Sequence, residues 1–180
     1  MARTPPTKTQ LVALAEKDIY YEVAMLRGGR AEQDKRRAER PDLMTLDRAD
    51  PTRVACMAFF EAVLLHGRVL NDFLTVAPGA NPDDVWAGDY VPNWQPPNPS
   101  PLNRVPVVTT GNRPVRDSIN KQLAHFSVDR LQQHVFYVVK IADEVLRDVA
   151  TFANDTTNVC HRELQGVRVL LSRYPWPVEP

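Results

Sequence analysis

A chain of 180 residues, 43% hydrophobic and 24% charged, has the composition of one ordinary globular domain, which excludes whole-chain disorder and fibrous repeats. Lysine plus arginine and aspartate plus glutamate each total 22, so no global field draws the chain to nucleic acid or to an anionic surface. No apolar stretch approaches the roughly 20 residues of a membrane helix, and Met1 to Pro6 carries no apolar targeting core, so a cytoplasmic protein with no membrane partner is expected.

The first predicted helix begins after Thr7 or Thr9 and runs to Arg27, with Leu11, Leu14, Ala15, Ile19, Val23 and Leu26 at helical spacing. Gly28-Gly29 is read as its stop. Residues 30–40 are charged helix formers with no apolar stripe, and suit either a solvated helical extension or a mobile connector. The second helix starts at Asp50-Pro51, where Asp caps and Pro fits the first turn, and ends before Pro78-Gly79. Its wheel gathers Ala58, Phe59, Ala62, Val63, Val69, Leu70 and Phe73 on one face and Glu61, Arg68 and Asp72 opposite.

Asn81-Pro82-Asp83-Asp84 is read as the cap of a short helix carrying Val85, Trp86 and Tyr90. Residues 92–114 then hold seven prolines in a stiff loop, with Trp94, Leu102 and Val105 as apolar anchors for wrapping the bundle. A third helix opens at Pro114 with the stripe Val115, Ile119, Leu123 and Phe126. It either continues through Ser127 or restarts there. From Leu131 the positions Val135, Val138, Ala142, Val145, Val149 and Phe152 alternate four and three apart, the mark of a bundle seam in a helix near 128–153. A last helix over 157–173 turns Cys160, Leu164, Val167 and Leu171 inward. The predicted architecture is all-α, an up-down bundle of about five helices in a single domain over 1–180. Flexible tails are expected at 1–8 and 174–180, a charged connector at 28–50 and the Pro-rich loop at 92–114.

Cys56 and Cys160 lie far apart and outside any CxxC or Cys/His cluster. They are read as buried apolar groups rather than a long-range bridge, and no metal or other cofactor is expected. Gly-rich phosphate loops, G-x-S-x-G and H-E-x-x-H are absent from the sequence. The run Lys35-Arg36-Arg37, diluted by Glu32, Asp34 and Glu39, is a solvated face before it is an RNA track.

The most distinctive string is Asn120-Lys121-Gln122-Leu123-Ala124-His125, with Leu123 inward and His125 turned from the stripe. It resembles the Arg-polar-x-x-Ala-His core of HEPN domains, helical bundles that often dimerise and include metal-independent RNA-cleaving toxins and phage-defence proteins. In that family the Arg and His of two protomers meet in one cleft. The resemblance implies RNA as partner, a homodimer, and a catalytic set of His125, Lys121 and Asn120 with Arg130 nearby. Asn120 stands where active members have Arg, and a neutral amide cannot replace a bidentate cation, so the resemblance extends to a catalytically degenerate member. Arg116, one turn before Asn120, is a candidate compensating charge. His125 itself suits proton transfer near neutral pH, or a structural hydrogen bond to its scaffold.

A second constellation lies on the central helix. Arg68 and Asp72, four apart, form either a surface ion pair or, with Glu61, a polar cleft facing the His125 helix. His66 falls on the apolar face, where a buried imidazole needs a hydrogen-bond partner; that reading is preferred to a metal ligand, and a catalytic pairing with His125 is the lesser alternative. Two functions follow from these patterns: an RNA-targeting or phage-defence protein of HEPN-like type, or a noncatalytic helical interaction or dimerisation module with a protein partner at the Pro-rich loop.

Overall fold

The fold is given by a computed structural model, which describes residues 3–76, 83–95, 101–104, 115–119, 123 and 136–174. It is all-α, and among the described residues no strand occurs. The first rod opens where Thr7 Oγ1 accepts from the Gln10 backbone N–H at 3.3 Å and Gln10 Oε1 accepts from the Thr7 N–H at 2.8 Å. This reciprocal box satisfies two amides that the first turn leaves without partners. Helix α1 (Lys8–Leu14), a π turn (Ala15–Ile19) and α2 (Tyr20–Glu39) follow without a break. The predicted stripe is buried at Leu11, Ala15, Ile19, Val23 and Leu26.

Gly28-Gly29 does not stop this helix, which runs on to Glu39, so residues 28–39 of the expected connector are helical. The reason is packing. A Cβ on Gly29 would sit 3.3 Å from both the Phe59 carbonyl oxygen and Val63 Cγ2, so the missing side chain lets α2 lie close against its neighbour. That contact offsets the roughly 1 kcal/mol a helical glycine costs. Arg30 and Asp34, four apart and 3.0 Å from each other, support the extension, as does buried Gln33.

Helix α3 (Pro51–Thr75) is capped as expected, Asp50 Oδ1 accepting from the Thr52 and Arg53 N–H groups at 2.8 and 3.3 Å. These bonds hold the Asp50 carboxyl below its usual pKa. The helix packs on α2 along its length and on α5 (Val138–Asn154) across its other side. Its buried residues are Cys56, Val63, Leu64, His66, Gly67, Leu70, Asn71 and Leu74. The core face is therefore rotated roughly a quarter turn from the predicted one, leaving Ala58 and Val69 exposed. Apolar periodicity alone could not see that α2 and α5 flank Gly67, where a Cβ would meet Ile141 Cγ2 at 3.1 Å and Leu26 Cδ1 at 3.7 Å. By length and composition alone α3 could cross a membrane. It buries His66, Gly67 and Asn71 along with its apolar residues.

Beyond α3 the predicted short helix is only a 3-10 turn at Ala87–Asp89, pinned by Asp89 accepting from the Trp86 N–H. Asp83 and Asp84 take no helical conformation, and Asn81 and Pro82 lie outside the described residues. Tyr90, Trp94, Phe73 and Phe152 form an edge-to-face cluster around the Phe152 ring, at centroid distances of 5.1 to 5.8 Å. The two polar rims are satisfied, Tyr90 donating to the Leu11 carbonyl and Trp94 Nε1 to the Leu74 carbonyl. Trp94 and Leu102 are core residues; Val105 and most of the Pro-rich stretch lie outside the described residues.

Helix α4 (Val115–Ile119) buries Val115 and Ile119 as its stripe predicts. Helix α5 buries all of Val138, Ala142, Val145, Val149 and Phe152; Phe136 and Tyr137 precede it outside the helix, and residues 128–135 of the expected helix, with Leu131 and Val135 of the seam, lie outside the described residues. Phe136 packs edge-on against Phe60 at 6.2 Å, which fixes the chain's entry in a way the seam periodicity does not encode. Helix α6 (Gln165–Ser172) is shorter than predicted, because Asp155 and Asn158 accept from the Thr157 and Cys160 N–H groups and hold the preceding residues in turns. The predicted inner residues Cys160, Leu164, Val167 and Leu171 are all buried, the first two in the turns before α6.

The expected tails are anchored where they are described. Arg3 grips Asp89 with two nitrogens at 2.8 and 2.6 Å, and Tyr174 is buried, donating a short hydrogen bond to Asp143 of α5.

Candidate functional site

A half-open groove of about 370 Å³ runs along α3, with Ile119 of α4 and Leu123 on its far wall. Ala58, Glu61, Ala62, Leu65 and Arg68, spaced three and four apart, form its floor, and His66 lines it as well. On the helical wheel His66 and Arg68 fall on opposite edges, one beside α2 and the other beside α4.

At the first edge His66 Nδ1 lies 2.7 Å from Glu22 Oε2 of α2. The Tyr21 ring meets the imidazole edge-on at a centroid distance of 5.7 Å. His66 is thus the buried, hydrogen-bonded histidine the wheel called for, and its partner comes from another helix. The contact with Glu22 fixes the orientation of the ring.

At the second edge one carboxylate serves two cations. Arg116 of α4 holds both Asp72 oxygens, Nε at 2.5 Å and Nη2 at 3.0 Å, in a bidentate fork. Arg68 reaches Asp72 only at 3.5 Å, and its Nε is buried with no hydrogen-bond acceptor. Hydrogen bonding to Asp72 raises the Arg116 guanidinium pKa against the opposing effect of burial. Asp117 also stands 3.7 Å from Arg116. The predicted surface pair between Arg68 and Asp72 is therefore a weaker limb of a bridge that ties α3 to α4.

Of the sequence-derived site, Glu61, His66 and Arg68 line one groove, while Asp72 and Arg116 meet at its edge. Asn120, Lys121, His125 and Arg130 lie outside the described residues, though Ile119 and Leu123, which bracket Asn120, Lys121 and Gln122 in sequence, both line the groove. Sequence reasoning missed Glu22 and Tyr21. The need of a buried His66 for a partner was the available signal, but α3 alone did not indicate which helix supplies it. Among the described residues, no group of three or more His, Cys, Asp or Glu side chains could hold a metal ion. Neither cysteine is bridged, and burial raises the Cys160 thiol pKa.

No family model, no curated protein and no solved structure matches the chain.

Proposed function

We propose that this chain is a HEPN-like helical protein of the RNA-targeting, phage-defence or toxin type, acting as a homodimer, with His125 as its acid–base group. Asn120, Lys121 and Arg130 accompany it, and Asn120 in place of the family's Arg makes a weakened or lost nuclease part of the reading. The observation that carries it is the position of the string along the chain: Ile119 and Leu123, on either side of Asn120 and Lys121 in sequence, line a largely apolar groove that also holds Glu61, His66 and Arg68. Imidazole chemistry beside donors suits phosphodiester cleavage without metal. The test is incubation of the purified chain with a labelled single-stranded ribo-oligonucleotide in a chelator, wild type against His125→Ala. Cleavage by wild type, lost in the variant with an unchanged melting temperature, is expected. Intact RNA with wild type at every concentration tried refutes an active nuclease, and absence of RNA binding as well refutes the RNA reading altogether.

A second reading, a noncatalytic interaction or dimerisation module, is favoured by Leu65 on the groove floor and Val69 along the same helix, which stand 44% and 40% exposed. On that reading Leu65→Asp abolishes self-association in sedimentation, and His125→Ala leaves it unchanged.

A further inference from the structure

The outward side of α3 carries a pattern that packing within the chain does not use. Val54, Ala58, Glu61, Leu65, Val69 and Val76 are all exposed, and Arg68 and Asp72 are half-buried among them. The steps from Val54 through Ala58, Glu61, Leu65 and Arg68 to Asp72 alternate four and three, the heptad spacing of a helix seam. With Val69 and Val76 these positions span about 100° of arc, opposite the face that buries Val63, Leu70 and Leu74. Val54, Leu65, Val69 and Val76, at 52%, 44%, 40% and 45% exposed, therefore meet water where a seam meets a second helix.

The stripe is its own complement when reversed. Turned end for end about Leu65, it sets Val54 against Val76, Ala58 against Asp72, and Glu61 against Val69 and Arg68. Glu61 makes no ion pair among the described residues. On the other side of Leu65, Arg68 and Arg116 share the single carboxylate of Asp72, while Asp117 meets Arg116 rather than Arg68. Arg68 contributes charge there and no free donor, since its Nε is buried beside Asp72. An unpaired anion thus lies one turn before Leu65, and a surplus of positive charge one turn after it. A reversed copy brings the two together on both sides of the axis, whereas a copy running the same way sets Glu61 on Glu61 and Arg68 on Arg68. Ile119 and Leu123 wall the groove beside Leu65 and add apolar surface for the incoming leucine.

We infer that α3 is a two-fold interface: a second copy of this chain lies antiparallel along the stripe from Val54 to Val76, with Leu65 on the axis and Glu61 facing the cluster of Arg68, Asp72 and Arg116. The inference rests on the self-association of the second reading above and adds its face, its direction and its partner.

The deciding experiment is thiol cross-linking of the full chain with a short bis-maleimide, alongside sedimentation and melting curves. Cys56 and Cys160 are buried, so wild type sets the background. Leu65→Cys is expected to cross-link to itself. Val54→Cys and Val76→Cys are expected to cross-link when mixed and not singly, because reversed helices centred on Leu65 hold the two Val54 positions about 33 Å apart. Glu61→Arg is expected to weaken association at least about 10-fold, since like charges then meet. Cross-linking of Val54→Cys alone overturns the antiparallel arrangement, and a Glu61→Arg protein that associates as tightly as wild type overturns it as well. A wild type that associates while no cysteine variant cross-links above background overturns the α3 face and leaves self-association standing. If Leu65→Cys does not fold, the mixed pair decides alone. A wild type that is monomeric at every concentration tried overturns both the interface and the self-association it rests on.

Discussion

Replacing Tyr174 by phenylalanine removes a buried hydrogen bond between the C-terminal end of the described chain and α5. The hydroxyl donates to Asp143 Oδ1, and Tyr174 and Asp143 are only 5% and 7% exposed, so water cannot take over the bond. Phenylalanine keeps the ring and its packing, and what is lost is a hydrogen bond to a charged acceptor, worth about 1.5–3 kcal/mol. For a chain of this length each kcal/mol moves the midpoint by roughly 2–4 °C, so Tm should fall by about 3–12 °C. Circular dichroism at neutral pH checks this, with Asp143→Leu added as a control. Replacing both partners by apolar groups removes the stranded carboxylate, so the double variant should be more stable than Tyr174→Phe alone. A Tyr174→Phe protein melting at or above wild type refutes the reasoning, because the bond would then contribute nothing net.

Burial also raises the pKa of both Tyr90 and Tyr174. Their stabilisation is complete below the free tyrosine value of about 10 and is lost as pH rises above it, by about 1.4 kcal/mol per pH unit for each ring that stays protonated when folded. Urea midpoints should hold up to about pH 10 and fall steeply above it, and a flat profile contradicts the burial argument. Trp94→Ala should cost about 3–5 kcal/mol in chemical denaturation, since the indole packs on Phe152 and bonds the Leu74 carbonyl; an unchanged midpoint would move Trp94 out of the core. Gly67→Val should destabilise by about 1–3 kcal/mol by crowding Ile141, whereas Gly28→Ala, with nothing within 4 Å of its Cβ, should stabilise by about 0.4–1 kcal/mol. Equal effects at the two glycines would refute the packing assignment.

Much of this architecture is written locally. Asp50 before Pro51, the spacing of Leu11, Ala15, Ile19 and Val23, and the four-three seam from Val138 to Phe152 each state an element and its inward face without outside help. What local pattern missed depends on neighbours. Gly29 looks like a stop until Val63 lies against it, and the core face of α3 turns because two helices flank Gly67. The chain's approach to α5 depends on Phe136 meeting Phe60. The groove follows the same rule. Glu61 and Arg68 could be grouped from one helical wheel, but the partner of His66 and the second claimant on Asp72 sit 44 positions away in each case. Spacing along one helix has no means of naming them.

The π turn at Ala15–Ile19 sets how the first rod tolerates change. Residues four apart in an ordinary helix overshoot a full circle by about 40°, so Leu11, Ala15, Ile19 and Val23 would spiral off a common side were it not for this slower winding. Deleting one residue there would restore regular winding, and the step of about 100° lost with the residue is returned by the tighter turn, so the upstream face keeps its direction. Leu11 would stay by Tyr90 and Arg3 by Asp89, whereas a deletion elsewhere in the rod would swing everything upstream of it by about 100°. The short segment is a slack turn, the one place where this arm can lose a residue without losing its bearings.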